Sequence, residues 1–302
     1  MNEHESRLIA FLRLIQPGMM LLTTLTYCLG ASVAYYLGRR FSWILFLQGL
    51  FILLTLQMIG RLVLGLNEPK SDRTSPRPSI FPPSSAFLRD DLLSKKRVQF
   101  IAMGLLAFGA LQAINLLIAG APGAAWIPLV LLTLGSYFYS AEPVSLRTTG
   151  MGELALSLMT GLIPLFSFIL LTGEVHRFVL MTSVPLAALA FAAQVVLALP
   201  CYAYDEKHNR RNLLTRLGWQ KAMWLHDLAI LLSVVSLGIA ALSGLPDRVV
   251  LGTILSTPLA ILQLYQIRRI QRGEPPKYRL FAYSAISLYA LTTYFMLLGF
   301  LF

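Results

Sequence analysis

Two stretches of charged residues interrupt a sequence that is otherwise apolar. The first cap segment, residues 67–97, carries seven Lys or Arg and four acids, although only 13% of the 302 residues are charged. The second cap segment, residues 201–221, carries five Lys or Arg and two acids. Arginine presents a planar fork of donors that matches phosphate oxygens, so these segments could hold a phosphate-bearing ligand. The alternative is that they are the basic loops that membrane proteins keep on their inner side.

Four further polar residues stand inside or beside apolar stretches. Arg61 lies about one and a half helical turns before Asn67. An ionisable residue within a membrane helix indicates function by default, so Arg61 is predicted to reach the same ligand; alternatively, it extends to the nearby surface. Asn67 could orient a ligand or end its helix. For Gln57 and Gln194 we expect hydrogen bonds between helices first and a role in an acceptor pocket second.

The elements that must position these residues are membrane helices. The chain is 56% hydrophobic with a mean hydropathy of +0.67, and a helix needs about 20 mostly apolar residues to cross a bilayer. We therefore predict a single all-α integral membrane domain over residues 1–302. Nine apolar segments are the predicted spans, namely residues 18–37, 43–66, 98–119, 125–139, 154–172, 178–199, 224–245, 249–267 and 280–302.

The placement of the 25 Lys and Arg predicts the orientation. With nine spans, 20 of them fall on one side of the membrane, 4 fall on the other, and Arg61 lies within a span. Such an excess marks the cytoplasmic side, so we predict a cytoplasmic N-terminus, an external C-terminus and residence in the cell inner (plasma) membrane. Both cap segments are then cytoplasmic. The net charge of +11 would face anionic lipid headgroups or an anionic substrate rather than nucleic acid.

Three local motifs resemble those of one known family. They are residues 12–17 (Leu-Arg-Leu-Ile-Gln-Pro), residues 139–153 (Tyr-Ser-Ala-Glu-Pro through to Gly-Met-Gly-Glu) and residues 209–218 (Asn-Arg-Arg-Asn-Leu-Leu-Thr-Arg-Leu-Gly). Each resembles a segment of the UbiA superfamily of intramembrane prenyltransferases, the menaquinone branch in particular. The spans and the two cap segments extend the resemblance over nearly the whole chain. It implies a bundle of nine transmembrane helices around a central cavity.

The resemblance also implies a chemistry. Members of the family hold Mg²⁺ with acidic motifs, and the metal neutralises an isoprenoid diphosphate while its prenyl group passes to an aromatic acceptor, as in quinone biosynthesis. The metal ligands implied here are Glu68, Asp72 and Asp205. The implied catalytic residues are Arg61, Asn67 and Asp205. The implied substrate-binding residues are Arg73, Arg77, Tyr139, Arg147, Arg210 and Arg211.

The acidic motifs of this sequence are reduced. The second motif keeps Asp205 but has Cys201 where another acid is expected, and about one acid remains in each motif. An alternative prediction is therefore a catalytically decayed protein of the same fold that binds an isoprenoid, quinone or pigment, or is a subunit of a membrane complex. A secondary transporter is disfavoured because no acid lies mid-membrane. Glu153 is interpreted as an acid that favours the start of a helix.

Overall fold

The computed structural model describes residues 15–67 and 95–302, and within these ranges every regular element is a helix. In hydrocarbon, unpaired backbone polar groups are too costly, which is why an apolar chain of this kind becomes helical. The prediction of an all-α membrane protein is confirmed. The α-helices are α1 (Pro17–Tyr36), α2 (Trp43–Asn67), α3 (Lys95–Ile118), α4 (Trp126–Phe138), α5 (Gly152–Thr172), α6 (Arg177–Ala198), α7 (Tyr202–Lys207), α8 (Leu213–Leu217), α9 (Trp219–Leu242), α10 (Asp247–Ile254), α11 (Thr257–Gln271) and α12 (Tyr278–Leu301).

In the part of the chain described here, fewer helices than the nine predicted are long and apolar enough to cross a membrane. Seven spans are long and apolar enough to cross a membrane: α1, α2, α3, α5, α6 continued by α7, α9 and α12. Helices α10 and α11 make an eighth if they are taken together, although they are bent by 43°. Pro258 explains the bend, because its ring would clash with the carbonyl of Ile254 in a continuous helix.

The predicted fourth span, residues 125–139, is the short helix α4. Its 13 residues extend only about 20 Å, whereas the hydrocarbon of a bilayer is about 30 Å thick. The predicted number of nine spans is therefore not confirmed by the described residues.

Helix α6 lies at the centre of the bundle. It packs against α5, α9 and α12, and its buried residues include Ala188, Ala192 and Ala193. Small side chains of this kind let helix backbones approach closely in lipid. Gly30 allows the same between α1 and α5, because a Cβ at this position would lie 2.1 Å from the carbonyl oxygen of Pro164. Helix α3 is peripheral, with few buried residues.

The second cap segment is not the continuous loop that the sequence suggested. After α6 the chain makes a 3₁₀ turn over Leu199–Cys201 and then forms α7 and α8 before α9 begins. Asn212 explains α8: its side-chain oxygen accepts from the backbone N–H of Thr215 at 2.8 Å, and Thr215 Oγ1 accepts from the backbone N–H of Asn212 at 2.9 Å. This capping box satisfies donors that the first turn of a helix leaves free.

Candidate functional site

Asp205 is the buried centre of the second cap segment. Its side chain is 0% exposed, and its Oδ2 accepts a hydrogen bond of 2.8 Å from Nδ2 of Asn212. Its Oδ1 lies 3.7 Å from a guanidinium nitrogen of Arg210. The backbone N–H of Arg210 also donates to the carbonyl oxygen of Asp205 at 2.8 Å. A buried carboxylate is stable only with such partners, so these contacts determine how α7 joins α8.

Arg210 is held from several directions at once. Its guanidinium lies over the ring of Tyr204, 5.0 Å from the ring centroid, in addition to its ion pair with Asp205. Thr215 donates a hydrogen bond of 2.6 Å to the carbonyl oxygen of Arg210. The side chain is only 17% exposed. A charged group fixed in this way is already oriented for an anionic ligand.

The connection between α4 and α5 packs directly against the second cap segment. Arg216 donates to the carbonyl oxygen of Thr149 at 3.1 Å, and the backbone N–H of Leu213 donates to Oε2 of Glu153 at 3.4 Å. At Gly150 the backbone has a φ of +80°, and a Cβ there would lie 2.9 Å from Cδ of Arg216. A glycine is favoured at this position, because L residues rarely adopt this backbone conformation and an added Cβ would require the side chain of Arg216 to shift.

The end of α2 reaches the same connection. Asn67 donates a hydrogen bond of 3.3 Å from its amide to the carbonyl oxygen of Ser140. The half-buried Arg61 lies near Tyr139 and near Arg147, whose like charge repels it. Sequence segments that are far apart thus meet at one end of the bundle.

Glu153 links this group to the second cap segment. It accepts a hydrogen bond from the backbone of Leu213, and its carboxylate is attracted by the charge of Arg147 and repelled by that of Asp205. The sequence indicated only that an acid favours the first turn of α5, which Glu153 does occupy. Its contact with α8 was not foreseen, because nothing in the spacing relates residues that are 60 positions apart.

A cavity of about 630 Å³ opens between these elements. Among the residues that the structure describes, three arginines and one acid, Glu206, line it, so this part of its lining is net positive. Side-chain hydroxyls and an amide supply further polar groups, and a cavity of this charge suits an anion with several phosphate oxygens. The residues that line it are Thr148, Thr149, Glu206, Asn209, Arg210, Arg211, Thr215 and Arg216.

The structure therefore brings together many, but not all, of the predicted site residues. Six of them lie around the meeting point of α2, the α4–α5 connection and the second cap segment: Arg61, Asn67, Tyr139, Arg147, Asp205 and Arg210. Arg211 lines the cavity beside Arg210. Four predicted residues lie outside the described ranges, namely Glu68, Asp72, Arg73 and Arg77. The prediction did not include Asn212 or six of the residues that line the cavity, namely Thr148, Thr149, Glu206, Asn209, Thr215 and Arg216. All of them except Glu206 lie within the two motifs 139–153 and 209–218, which were the available signal.

The described residues do not by themselves fit a magnesium site. Within residues 15–67 and 95–302, no three His, Cys, Asp or Glu side chains are grouped so that they could share a metal ion. The oxygens of Asp205 face the amide of Asn212 and the guanidinium of Arg210 rather than an open cation site. Mg²⁺ requires an octahedral set of oxygen ligands, several of which would have to come from elsewhere.

The sequence and the fold were compared with those of known proteins, and both point to the same family. The sequence model of the UbiA prenyltransferase family matches residues 28–286. A UbiA homologue from Archaeoglobus fulgidus, solved bound to GPP and Mg²⁺, is similar with a TM-score of 0.70 and 16% identity over 95% of this chain and 99% of that chain. A structure of digeranylgeranylglyceryl phosphate synthase has a TM-score of 0.69 and 14% identity over 98% and 99% of the two chains. No curated protein matches the sequence.

A third structure, the apo form of a UbiA homologue from Aeropyrum pernix K1, has a TM-score of 0.67 and 12% identity over 92% of this chain and 96% of that chain. At these identities the structural likeness concerns the fold. The sequence match reaches from α1 to α12 and includes both the α4–α5 connection and the second cap segment. On this evidence the chain belongs to the UbiA prenyltransferase family.

Proposed function

We propose that this protein transfers a prenyl group from an isoprenoid diphosphate to an aromatic acceptor in the biosynthesis of a quinone. The observation that carries the proposal is the cavity in which Arg210, Arg211 and Arg216 converge, next to the buried Asp205. Three guanidinium groups suit a ligand with several negative charges, such as a diphosphate. Membership of the family and the relative bound to GPP support the same class of donor.

In the proposed reaction, the allylic carbon–oxygen bond of the donor breaks and its electron pair leaves with the diphosphate. A carbon of the aromatic ring forms the new carbon–carbon bond, and the ring then loses its proton to water. The guanidinium groups of Arg210, Arg211 and Arg216 stabilise the charge that develops on the leaving diphosphate. Two of them are held in place before the bond breaks, Arg210 by Asp205 and Arg216 by the carbonyl oxygen of Thr149. Further substrate contacts are proposed for Arg61, Asn67, Arg73, Arg77, Tyr139 and Arg147.

Asp205 is proposed to act as a positioning residue. Its carboxylate orients the guanidinium of Arg210, which in turn faces the cavity. The prediction that Glu68, Asp72 and Asp205 bind Mg²⁺ stays a prediction, since two of these residues lie outside the described ranges and the third contacts cationic and amide donors. When bound, Mg²⁺ would neutralise part of the diphosphate charge.

We further propose that the cap segments face the cytoplasm. The strong excess of Lys and Arg on one side of the nine spans predicted from the sequence supports a cytoplasmic N-terminus in a plasma membrane. The test is the labelling of a single cysteine introduced at Arg40, at the opposite end of α1 and α2. A membrane-impermeant thiol reagent should reach it in intact cells, and protection until lysis would reverse the orientation.

The decisive experiment for the activity is a transfer assay with the purified full chain in lipid nanodiscs. Radiolabelled geranyl diphosphate and 1,4-dihydroxy-2-naphthoate should give a prenylated ring and one diphosphate per transfer. Arg211→Gln should abolish most of the turnover, whereas Arg40→Gln, which removes an exposed charge far from the site, should not change it. The absence of product with dimethylallyl, geranyl and farnesyl diphosphates alike would refute the proposal.

A second candidate is a protein of this fold that binds an isoprenoid, quinone or pigment without turnover, or assembles into a membrane complex. The observation that favours it is the engagement of Asp205 by Asn212 and Arg210. Mass spectrometry of the protein extracted from its own membrane tests this candidate. A stoichiometric isoprenoid, or a partner subunit retained together with a lack of turnover, would support it over the enzyme.

A further inference from the structure

A second concentration of positive charge lies at the connection between α11 and α12. Residues 268–279, called here the basic turn, contain five Lys or Arg and a single acid, Glu274. Ile267, directly before the turn, packs in one apolar cluster with Leu214 of α8, so the turn lies at the same end of the bundle as the second cap segment. None of its residues lines the arginine-lined cavity. Its cations are Arg268, Arg269, Arg272, Lys277 and Arg279.

Glu274 neutralises only part of this charge. It forms an ion pair with Arg269, and its backbone N–H donates to the carbonyl oxygen of Arg269 at 3.1 Å. The hydrogen bond from Arg269 lowers the pKa of the Glu274 carboxyl group, and the charges of Arg272 and Lys277 lower it as well. Three cations therefore surround one carboxylate, which leaves an excess of positive charge at the turn.

Arg268 and Arg279 add to this excess. Both side chains are exposed. Among the residues that the structure describes, no acid lies within ion-pair distance of either of them. Their charge is therefore available to an anion outside the chain.

The exposed face of α11 changes in character toward the basic turn. Four exposed residues follow one another at intervals of three or four positions, which places them on one face of the helix, in the order Ile261, Tyr265, Arg268 and Arg272. The ring of Tyr265 is 56% exposed, and the guanidinium of Arg269 lies over it, 5.9 Å from the ring centroid. Along this face the side chains thus pass from aliphatic to aromatic to cationic.

Helix α12 has a similar order of residues, starting from the turn. Arg279 and Tyr283 are four positions apart and both are exposed. Tyr265 lies about 9 Å along its helix from the end of α11, and Tyr283 lies about 8 Å from the start of α12. On each helix a tyrosine therefore lies below an arginine, as is typical of residues at the boundary between hydrocarbon and lipid headgroups.

We propose that the basic turn binds the headgroup of an anionic phospholipid of the surrounding bilayer. Its exposed arginines hold the phosphate oxygens, and Tyr265 and Tyr283 contact the glycerol region below them. A soluble anion would contact the cations but not the aromatic and aliphatic residues that continue the same face into the hydrocarbon. The inference does not depend on the proposed function, because the turn and the arginine-lined cavity share no residue.

Native mass spectrometry of the purified full chain tests the inference. The protein in detergent is equilibrated with equal amounts of phosphatidylglycerol and phosphatidylcholine that carry the same acyl chains, and the lipids that stay bound are counted. The two lipids differ in the net charge of the headgroup. We expect phosphatidylglycerol to be retained about fivefold or more over phosphatidylcholine, since a single Lys or Arg near an anionic membrane surface supplies attraction of that size.

A charge-matched pair of variants assigns the preference to the basic turn. One variant combines three substitutions in the turn, namely Arg268→Gln, Arg272→Gln and Arg279→Gln. It should lose most of the preference for phosphatidylglycerol. The control removes the same charge from exposed lysines in the first turns of α3 and α9 and should keep the preference; it combines Lys95→Gln, Lys96→Gln and Lys221→Gln.

Glu274→Gln changes the charge in the opposite direction. It releases Arg269 from its ion pair, so the retention of phosphatidylglycerol should increase. The same loss of preference in the arginine variant and in the lysine control would overturn the inference, because the protein's total charge would then explain the binding. Equal retention of the two lipids by the unmutated protein would also overturn it, and an acidic protein surface would become the better candidate for the turn.

Discussion

The side-chain amide of Asn212 makes two hydrogen bonds, one through its nitrogen and one through its oxygen. Its Nδ2 donates to Asp205 Oδ2 at 2.8 Å, while its Oδ1 accepts from the backbone N–H of Thr215 at 2.8 Å and so caps α8. One side chain therefore joins the buried carboxylate of the site to the start of the next helix. A substitution can separate these tasks, because several residues cap helices but few also donate to a carboxylate.

The first prediction concerns this pair. Asn212→Ser keeps a capping oxygen and should lower the stability by about 1 kcal/mol, through loss of the bond to Asp205. Asn212→Asp also keeps a cap but places a second carboxylate against Asp205, and it should cost about 2–4 kcal/mol at pH 7. Thermal unfolding in detergent measures both. Equal stability of the two variants would contradict the structural role given to the amide donor.

The stability of Asn212→Asp should also depend on pH. In Asn212→Asp, the new carboxyl group and Asp205 would be adjacent and could share one proton. The apparent pKa at which this pair takes up that proton should therefore be higher in the folded protein than in the unfolded chain. A raised folded-state pKa means that the destabilisation is present at high pH and is relieved as the pH falls through it. As the pH is lowered from 7 to 5, the melting temperature of Asn212→Asp should therefore rise relative to that of the unmutated protein.

The second prediction concerns the arginine-lined cavity. Arg211→Gln should weaken the binding of inorganic pyrophosphate by about tenfold, because a charge-assisted hydrogen bond to the anion is lost. Isothermal titration calorimetry of the full chain provides the measurement. Arg40→Gln removes the same charge from an exposed position away from the cavity and should leave the affinity unchanged. Equal weakening in both variants would show that only the overall charge matters.

The third prediction concerns the metal. Pyrophosphate should still bind in the presence of EDTA, because Arg210, Arg211 and Arg216 supply positive charge without a cation. The same calorimetric titration with excess Mg²⁺ gives the reference affinity. Complete loss of binding in EDTA would instead make the metal essential and would favour the ligands predicted from the sequence, Glu68, Asp72 and Asp205.

The fourth prediction concerns Gly150. Gly150→Ala should destabilise the protein by about 1–2 kcal/mol, because the backbone has a φ of +80° and the new Cβ would lie 2.9 Å from Cδ of Arg216. Gly104→Ala in α3 is the control, since nothing lies within 4 Å of its Cβ, and a helical alanine is favoured over glycine. Thermal unfolding of the two variants in the same detergent compares them, and an unaffected Gly150→Ala would contradict the described packing.

The sequence by itself was sufficient for the all-helical membrane architecture and for most helix positions. The predicted spans 154–172 and 178–199 correspond to α5 (Gly152–Thr172) and α6 (Arg177–Ala198) within a few residues. This success has a local cause, because a long apolar segment in lipid must satisfy its backbone within itself. The apolar length of a segment did not predict the bend at Pro258. It also did not show that α4 is too short to span the membrane.

The tertiary structure alone decided which polar groups meet. Thr26 and Tyr289 form one hydrogen bond across 263 positions, and Glu153 accepts from the backbone of α8 across 60 positions. Such pairs depend on the rotation and closeness of packed helices, which small residues such as Gly30 permit and which no local periodicity encodes. The sequence therefore supplied the charged and polar groups, and the packing of the helices determined which of them lie together at the arginine-lined cavity.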